Sequence, residues 1–236
     1  MHQIYKSKIK RDIFFYLHRI ILNRCNKIFC WTDAALNNIH TIYGIDKSKL
    51  FKVPAPFLIN ELSISPRKTP NKPRVLFIGG DWLRKGGDVL LNNWENRLKQ
   101  KCELTILTSN KFLKKEGVNV FTDIRYGTPD HKEIFKQNDI LILPARFDAY
   151  PQVIGEAAAG GLAVIATQYA LGSPEVIVHG RTGYIAQNPE ESIEYLIKLL
   201  ENIDLIDDFK KEGYKHMQSK FGIEEIKHKY FKAIAE

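Results

Sequence analysis

The sequence has little of what a disulfide scaffold, a membrane span or a zinc site requires. Cysteine occurs three times, at Cys25, Cys30 and Cys102. An odd, sparse count builds no disulfide framework and fits reduced thiols in a cytoplasm. Cys25 and Cys30 also lack the spacing and companions of a zinc site. No uninterrupted apolar run reaches the ~18 residues that a spanning helix needs. The apolar patch near the N-terminus is broken by His18, Arg19, Asn23 and Arg24, which is not the pattern of a signal peptide. The glycine spacings of the Walker loop and of the dinucleotide fingerprint are both absent. The net charge is +8, yet Lys and Arg form no block and are interspersed with acids. That balance points to phosphates or an anionic surface rather than to nucleic acid.

What is present reads as a soluble globular chain. Its 236 residues are 44% hydrophobic and 26% charged, enough for one large or two small domains. From residue 74 to about 206, short apolar runs alternate with helical periodicities. This predicts an α/β class fold, a Rossmann-like, doubly wound parallel sheet. RVLFIGG (74–80), ELTILTS (103–109), VNVFT (118–122), the run 140–143 and the run 163–166 are its expected strands, and TGYIAQ (182–187) adds a short segment. A helix is expected over about 88–99. The first 62 residues supply a smaller, incomplete α/β piece. In it a basic helix (9–24) precedes strands IFCWT (28–32) and LFKVP (50–54), and between these a helix is capped by Thr32 or Asp33 and closed by Gly44. The proline-rich stretch 63–73 reads as a linker. The tail, 207–236, reads as helices broken near Gly222 and packing back on the N-terminal piece.

The sharpest chemical signal lies in 139–167, DILILPARFDAYPQVIGEAAAGGLAVIAT. Asp148 falls in a loop after an apolar strand, where open α/β sheets bind ligands. Glu156 is the only charge between Tyr150 and Ala166, and a buried carboxylate without a partner costs several kcal/mol, roughly. It therefore meets a cation, a hydroxyl-rich ligand or water. A nucleotide would offer it two ribose hydroxyls, and a nearby Arg would satisfy it equally well. A second signal is the turn GGDWLRKGG, 79–87. There a strand gives way to a helix, with backbone N–H groups and the cations Arg84 and Lys85 at the place where a phosphate binds. A solvated turn with two surface cations fits the same residues. The third stretch, LGSPEVIVHGRTGYIA (171–186), is by itself a loop at the sheet edge.

In order, FIGGDWLRKGGDVLL, LPARFDAYPQVIGEAAAGGLAVIAT and GSPEVIVHGRTGYIA resemble the donor-binding half of the family 4 retaining glycosyltransferases of the GT-B fold, over about residues 27–236. The resemblance implies that Glu156 holds the ribose of a nucleotide-diphosphate sugar. Asp148 stands where the family places a glutamate near the reaction centre, and so keeps the charge but retracts it by one methylene. Lys85 matches the lysine on the diphosphate. Gly80, after Gly79, occupies the position of the family's arginine, with Arg84 as the candidate substitute. Tyr150, Pro151 and Gln152 fall where backbone groups pass the sugar and diphosphate, and Gly172 and Ser173 match a loop near the donor. The implied catalytic residues are Asp148 and Lys85. No metal or other cofactor is implied, and the sequence has no Asp-x-Asp pair of the metal-carrying kind. The implied partners are a nucleotide sugar and a saccharide or lipid-linked acceptor. An acceptor-side domain on a separate chain is the further partner suggested by the incomplete first piece. The basic helix 9–24 permits contact with an anionic membrane on the cytoplasmic side.

Overall fold

The computed structural model describes residues 8–55, 57, 66–111 and 113–235. The chain divides into two units, Met1–Ala55 with Ile226–Glu236, and Pro56–Glu225.

In the smaller unit a helix, Lys8–Arg24, precedes β1 (Ile28–Cys30), a helix Asp33–Tyr43 and β2 (Leu50–Lys52). β1 and β2 pair in parallel, Phe29 beside Phe51. The cap comes from Thr32, whose side chain accepts from the Ala35 N–H, and Gly44 closes the helix at φ 68°, the left-handed conformation a glycine adopts without penalty. Lys27 donates to the carbonyls of Ala233 and Ile234 at 2.7 and 2.9 Å. This puts a cation at the negative end of the Ile223–Ala235 helix.

The larger unit holds a six-stranded sheet in the order β5-β4-β3-β6-β7-β8, all pairs parallel. Its strands are β3 (Arg74–Ile78), β4 (Glu103–Leu107), β5 (Val118–Phe121), β6 (Ile140–Leu143), β7 (Ala163–Thr167) and β8 (Gly183–Ala186). Counted from β3, the order is 3-2-1-4-5-6, that of a doubly wound nucleotide fold, and it reverses between β3 and β6. The composition of each strand follows its place. β6 and β7, ILIL and AVIAT, are buried at every residue, whereas the edge strand β5 alternates half-buried with exposed. Continuous apolar runs are what central parallel strands covered on both faces need.

Three expectations shift. The helix expected over 88–99 is a helix Gly87–Asn92 followed by a π-helical turn, Trp94–Leu98. At the break the Asn93 side chain donates to the Val89 carbonyl at 2.9 Å, and such local bonds compete with the helical ladder. Of the expected linker, 63–65 lie outside the described residues. Its remainder is held in the larger unit, where Thr69 donates to Asp207 through both its N–H and its hydroxyl, at 3.0 and 2.6 Å. Of the tail, the helix Ile203–Phe221 packs against the Gln152–Ala159 helix, β7 and the Pro189–Leu200 helix. Only Ile226 onward belongs with the smaller unit.

Candidate functional site

At the reversal point, the loops after β3 and β6 meet at the carboxyl ends of their strands, where open sheets of this kind bind ligands. The turn after β3 is tightened by its own backbone. The N–H groups of Lys85, Gly86 and Gly87 donate to Asp81, Leu83 and Trp82 at 2.9, 3.2 and 3.0 Å. Those three donors are therefore engaged within the turn and do not point at a ligand, contrary to the expectation for this stretch. Gly86 has φ 79°, and a Cβ there would lie 1.8 Å from the Pro144 carbonyl oxygen. Only glycine lets the two loops approach this closely.

The turn delivers Lys85 to the rim. Its ammonium pairs with the Asp148 carboxylate, which also accepts from the Tyr150 N–H at 3.3 Å. Arg84 lies 3.7 Å from Asp148, but its guanidinium is bound to Asp81 at 3.0 Å and donates to the Phe147 carbonyl at 3.0 Å. The Asp148 loop is in turn fixed to the loop after β7. A short parallel bridge joins Asp148 to Ala170, with Asp148 N–H to the Tyr169 carbonyl at 2.9 Å and Leu171 N–H to the Asp148 carbonyl at 2.8 Å.

A cavity of about 410 Å³ opens between the turn after β3, the ends of β4 and β5 and the first turns of the Gln152–Ala159 helix, within the usual size range of small-ligand sites. Lys85 and Glu156 both line it, with Gly79, Gly80 and Gln152. Glu156 sits in the middle of the Gln152–Ala159 helix, 5% exposed. No ion pair reaches it among the described residues, so the neighbouring Arg allowed by the sequence is not there. Burial pushes its carboxyl up to about 6, against a hydrogen bond from the Tyr126 side chain that lowers it.

Tyr150, Pro151, Gly172 and Ser173 do not line the cavity. Tyr150 stacks on Phe57 with ring centroids 6.0 Å apart, and a Cβ at Gly172 would lie 2.8 Å from the Tyr150 ring. Pro151 precedes the first helical residue, Gln152. The Ser173 hydroxyl is buried and donates to the Thr167 carbonyl at 3.2 Å.

The far wall was not anticipated. Thr108, Ser109, Thr122, Ile124, Tyr126 and His131 form it. His131 is buried between the edges of Tyr126 and Phe135, centroids 5.2 Å from each, and burial pulls its imidazole below the ordinary range, towards the neutral form. A usable signal existed. Thr108, Ser109 and Thr122 directly follow β4 and β5, and the carboxyl-end rule for open sheets covers those ends as well. Chemically, the cavity offers a cation near one end, a dehydrated carboxylate acceptor and a neutral polar wall. That set suits a ligand carrying both anionic and hydroxyl groups. No cluster of three or more His, Cys, Asp and Glu able to hold a metal occurs among the described residues.

Comparison with known proteins adds the following. The family model described as glycosyl transferases group 1 matches residues 72–202. A protein from Klebsiella pneumoniae, described as an uncharacterized 41.2 kDa protein in cps region, is 30% identical over 199 residues, covering 76% of this chain and 52% of that protein. The crystal structure of Anabaena Alr3699/HepE in complex with UDP and glucose superposes with a TM-score of 0.77 at 14% identity, over 97% of this chain and 67% of that one. That of WaaG, a glycosyltransferase involved in lipopolysaccharide biosynthesis, gives 0.72 at 19%, over 95% and 69%. The chain spans about half the length of the curated relatives it matches.

Proposed function

The chain belongs to the group 1 glycosyl transferases, and from that premise we propose that its cavity binds a nucleoside diphosphate sugar for transfer, with retention, to a saccharide or lipid-linked acceptor. The observation that carries this reading is Glu156: buried, without an ion-pair partner among the described residues, and lining the same cavity as Lys85. A carboxylate so placed would be stabilised by two vicinal ribose hydroxyls donating to it, and the Lys85 ammonium in the same cavity supports its assignment to the diphosphate. UDP is the probe of choice, since it is bound in the Alr3699/HepE structure.

In this reading the acceptor oxygen attacks the anomeric carbon on the face from which the diphosphate leaves, and the acceptor proton departs with that leaving group. Lys85 stabilises the charge growing on the leaving phosphate, an electrostatic role of the oxyanion-hole kind. Asp148 lies beside the donor sugar, a family 4 role, and sets the Lys85 ammonium when no donor is bound. Tyr150, Pro151 and Gln152 pass the sugar and diphosphate, Gly172 and Ser173 support that loop, and no metal takes part. Arg84 reaches the diphosphate only by leaving Asp81.

No helix among the described residues is long and apolar enough to cross a membrane. Peripheral contact is supported by the Lys8–Arg24 helix, which buries no residue and exposes Ile9, Ile13, Leu17 and Ile21 beside its basic residues. Such a face lies on anionic lipid.

Glu156→Ala tests the donor assignment: UDP binding measured by calorimetry should disappear, and an unchanged affinity would remove the ribose role. A second reading takes support from the smaller unit, whose described sheet has two strands. There the chain binds the donor, and an acceptor-side domain on a separate chain completes the enzyme. Transfer by this chain alone to simple saccharide acceptors would dismiss that reading.

A further inference from the structure

We infer that Arg146, joined to Asp88, is a positioning residue that holds Lys85 at the donor diphosphate; the inference rests on the diphosphate role of Lys85 proposed above. Arg146 stands in the loop after β6, two residues before Asp148, and reaches across to the turn after β3 at three points. Its guanidinium forks onto the Asp88 carboxylate, Nη1 and Nη2 to the two oxygens at 2.7 and 2.8 Å. Nη1 also donates to the Leu83 carbonyl at 2.6 Å, and its backbone N–H donates to the Arg84 carbonyl at 2.8 Å. Leu83 and Arg84 precede Lys85, and Asp88 follows it. One residue thus holds the backbone just before Lys85 and a side chain three residues after it, and its own loop supplies the counterion that meets the Lys85 ammonium.

The chemistry argues for geometry over stability. The Arg146 and Asp88 side chains are 43% and 25% exposed, and partly exposed pairs stabilise a fold little. What a bidentate pair adds is direction, because the planar fork fixes both partners at once, as a lysine does not. The Arg146 hydrogen bonds hold the Asp88 carboxyl below the ordinary carboxylate range, so the pair stays charged at neutral pH. The Cα of Gly86 pressed against Pro144 leaves little slack between the loops. The fork then sets how they are rotated, and with that where the Lys85 ammonium points.

Calorimetry on the full chain with UDP and with uridine tests this. Uridine reports an intact nucleoside cavity, and the UDP-to-uridine affinity ratio reports Lys85. Arg146→Gln should lower UDP affinity roughly ten-fold while leaving uridine unchanged, in keeping with the cost of misplacing a binding group by a fraction of an ångström. Arg146→Lys, which keeps the charge and loses the fork, should fall between the two. A wild-type ratio retained by Arg146→Gln would overturn the inference, and so would equal weakening of UDP and uridine, the mark of a merely structural clamp. A wild-type chain that does not favour UDP over uridine would instead overturn the diphosphate role of Lys85, and the inference with it.

Discussion

Two buried acids flank β6, Asp139 just before its first residue and Glu156 in the helix beyond its last, and their surroundings are opposite. Asp139, 0% exposed, accepts from the Arg74 N–H at 3.0 Å, from Lys210 at 3.2 Å and from Arg67 at 3.0 Å. Lys210, 1% exposed, also donates to the Arg67 carbonyl at 2.6 Å and to the Thr69 hydroxyl at 3.1 Å. Glu156 meets no cation among the described residues, accepts a hydrogen bond from the Tyr126 side chain, and has a raised carboxyl. At the amino end of the strand the buried acid meets cations, and that end ties segment 66–73 and the Ile203–Phe221 helix to the sheet. At the carboxyl end the charge is met only by the Tyr126 hydrogen bond, with no cation among the described residues. In the proposed reading an acid buried without a cation is held for a ligand, and this difference would separate a stabilising end of the sheet from a binding end. Lys85 and Asp148 stand between the extremes, paired but at the rim, with side chains 15% and 12% exposed.

The largest effect expected from breaking this contrast is at Asp139. Asp139→Ala leaves Lys210 buried, with only Asp207 at 3.8 Å as a carboxylate. Removing one partner of a buried pair costs about 3–5 kcal/mol. Urea denaturation should show a loss of that size, while UDP affinity of the folded protein stays as in wild type. Loss of UDP affinity without loss of stability would erase the distinction between the two ends.

The contrast was only half legible in the sequence. Unbroken apolar runs marked β6 and β7, because strands buried on both faces leave a signature in consecutive residues. Thr32 and Gly44 marked the ends of a helix for an equally local reason. Glu156 stood out because a charge in a run of small and apolar residues is costly unless it has a use, Asp148 because it follows a strand's carboxyl end, and Lys85 because it sits in a glycine turn between strand and helix. The pairing of Asp139 with Lys210 was not readable, since 71 positions separate them and only the sheet order brings them together. The same holds for Tyr126 and His131 on the cavity wall, which no local pattern joins to Glu156. The stretch 63–73 misled for a related reason: its prolines suit a linker, yet Thr69 binds Asp207 from the distant Ile203–Phe221 helix. Composition describes a segment, and a partner far along the chain decides what the segment does.

A smaller and pH-dependent effect sharpens the comparison at Glu156. Its carboxyl rises from an ordinary 4.5 to about 6 in the folded protein because burial disfavours the charged form. The folded state therefore holds the proton more tightly than the unfolded state does. Between about pH 4.5 and 6 the folded state carries the greater share of bound proton, so stability falls as pH rises through that window and stays lowered above it. A rise of this size corresponds to about 2 kcal/mol. Glu156→Gln removes the ionisation, so the variant should be more stable than wild type by up to about 2 kcal/mol above pH 7, with the gap narrowing to nothing by about pH 4.5. Urea midpoints across that range measure it. The same substitution should weaken UDP, because a neutral amide accepts less strongly from ribose hydroxyls than a carboxylate does. A gain in stability together with a loss of binding marks a charge kept at a cost for its ligand. A variant less stable than wild type at pH 7 would mean that the Tyr126 hydrogen bond to the carboxylate outweighs the cost of burying its charge.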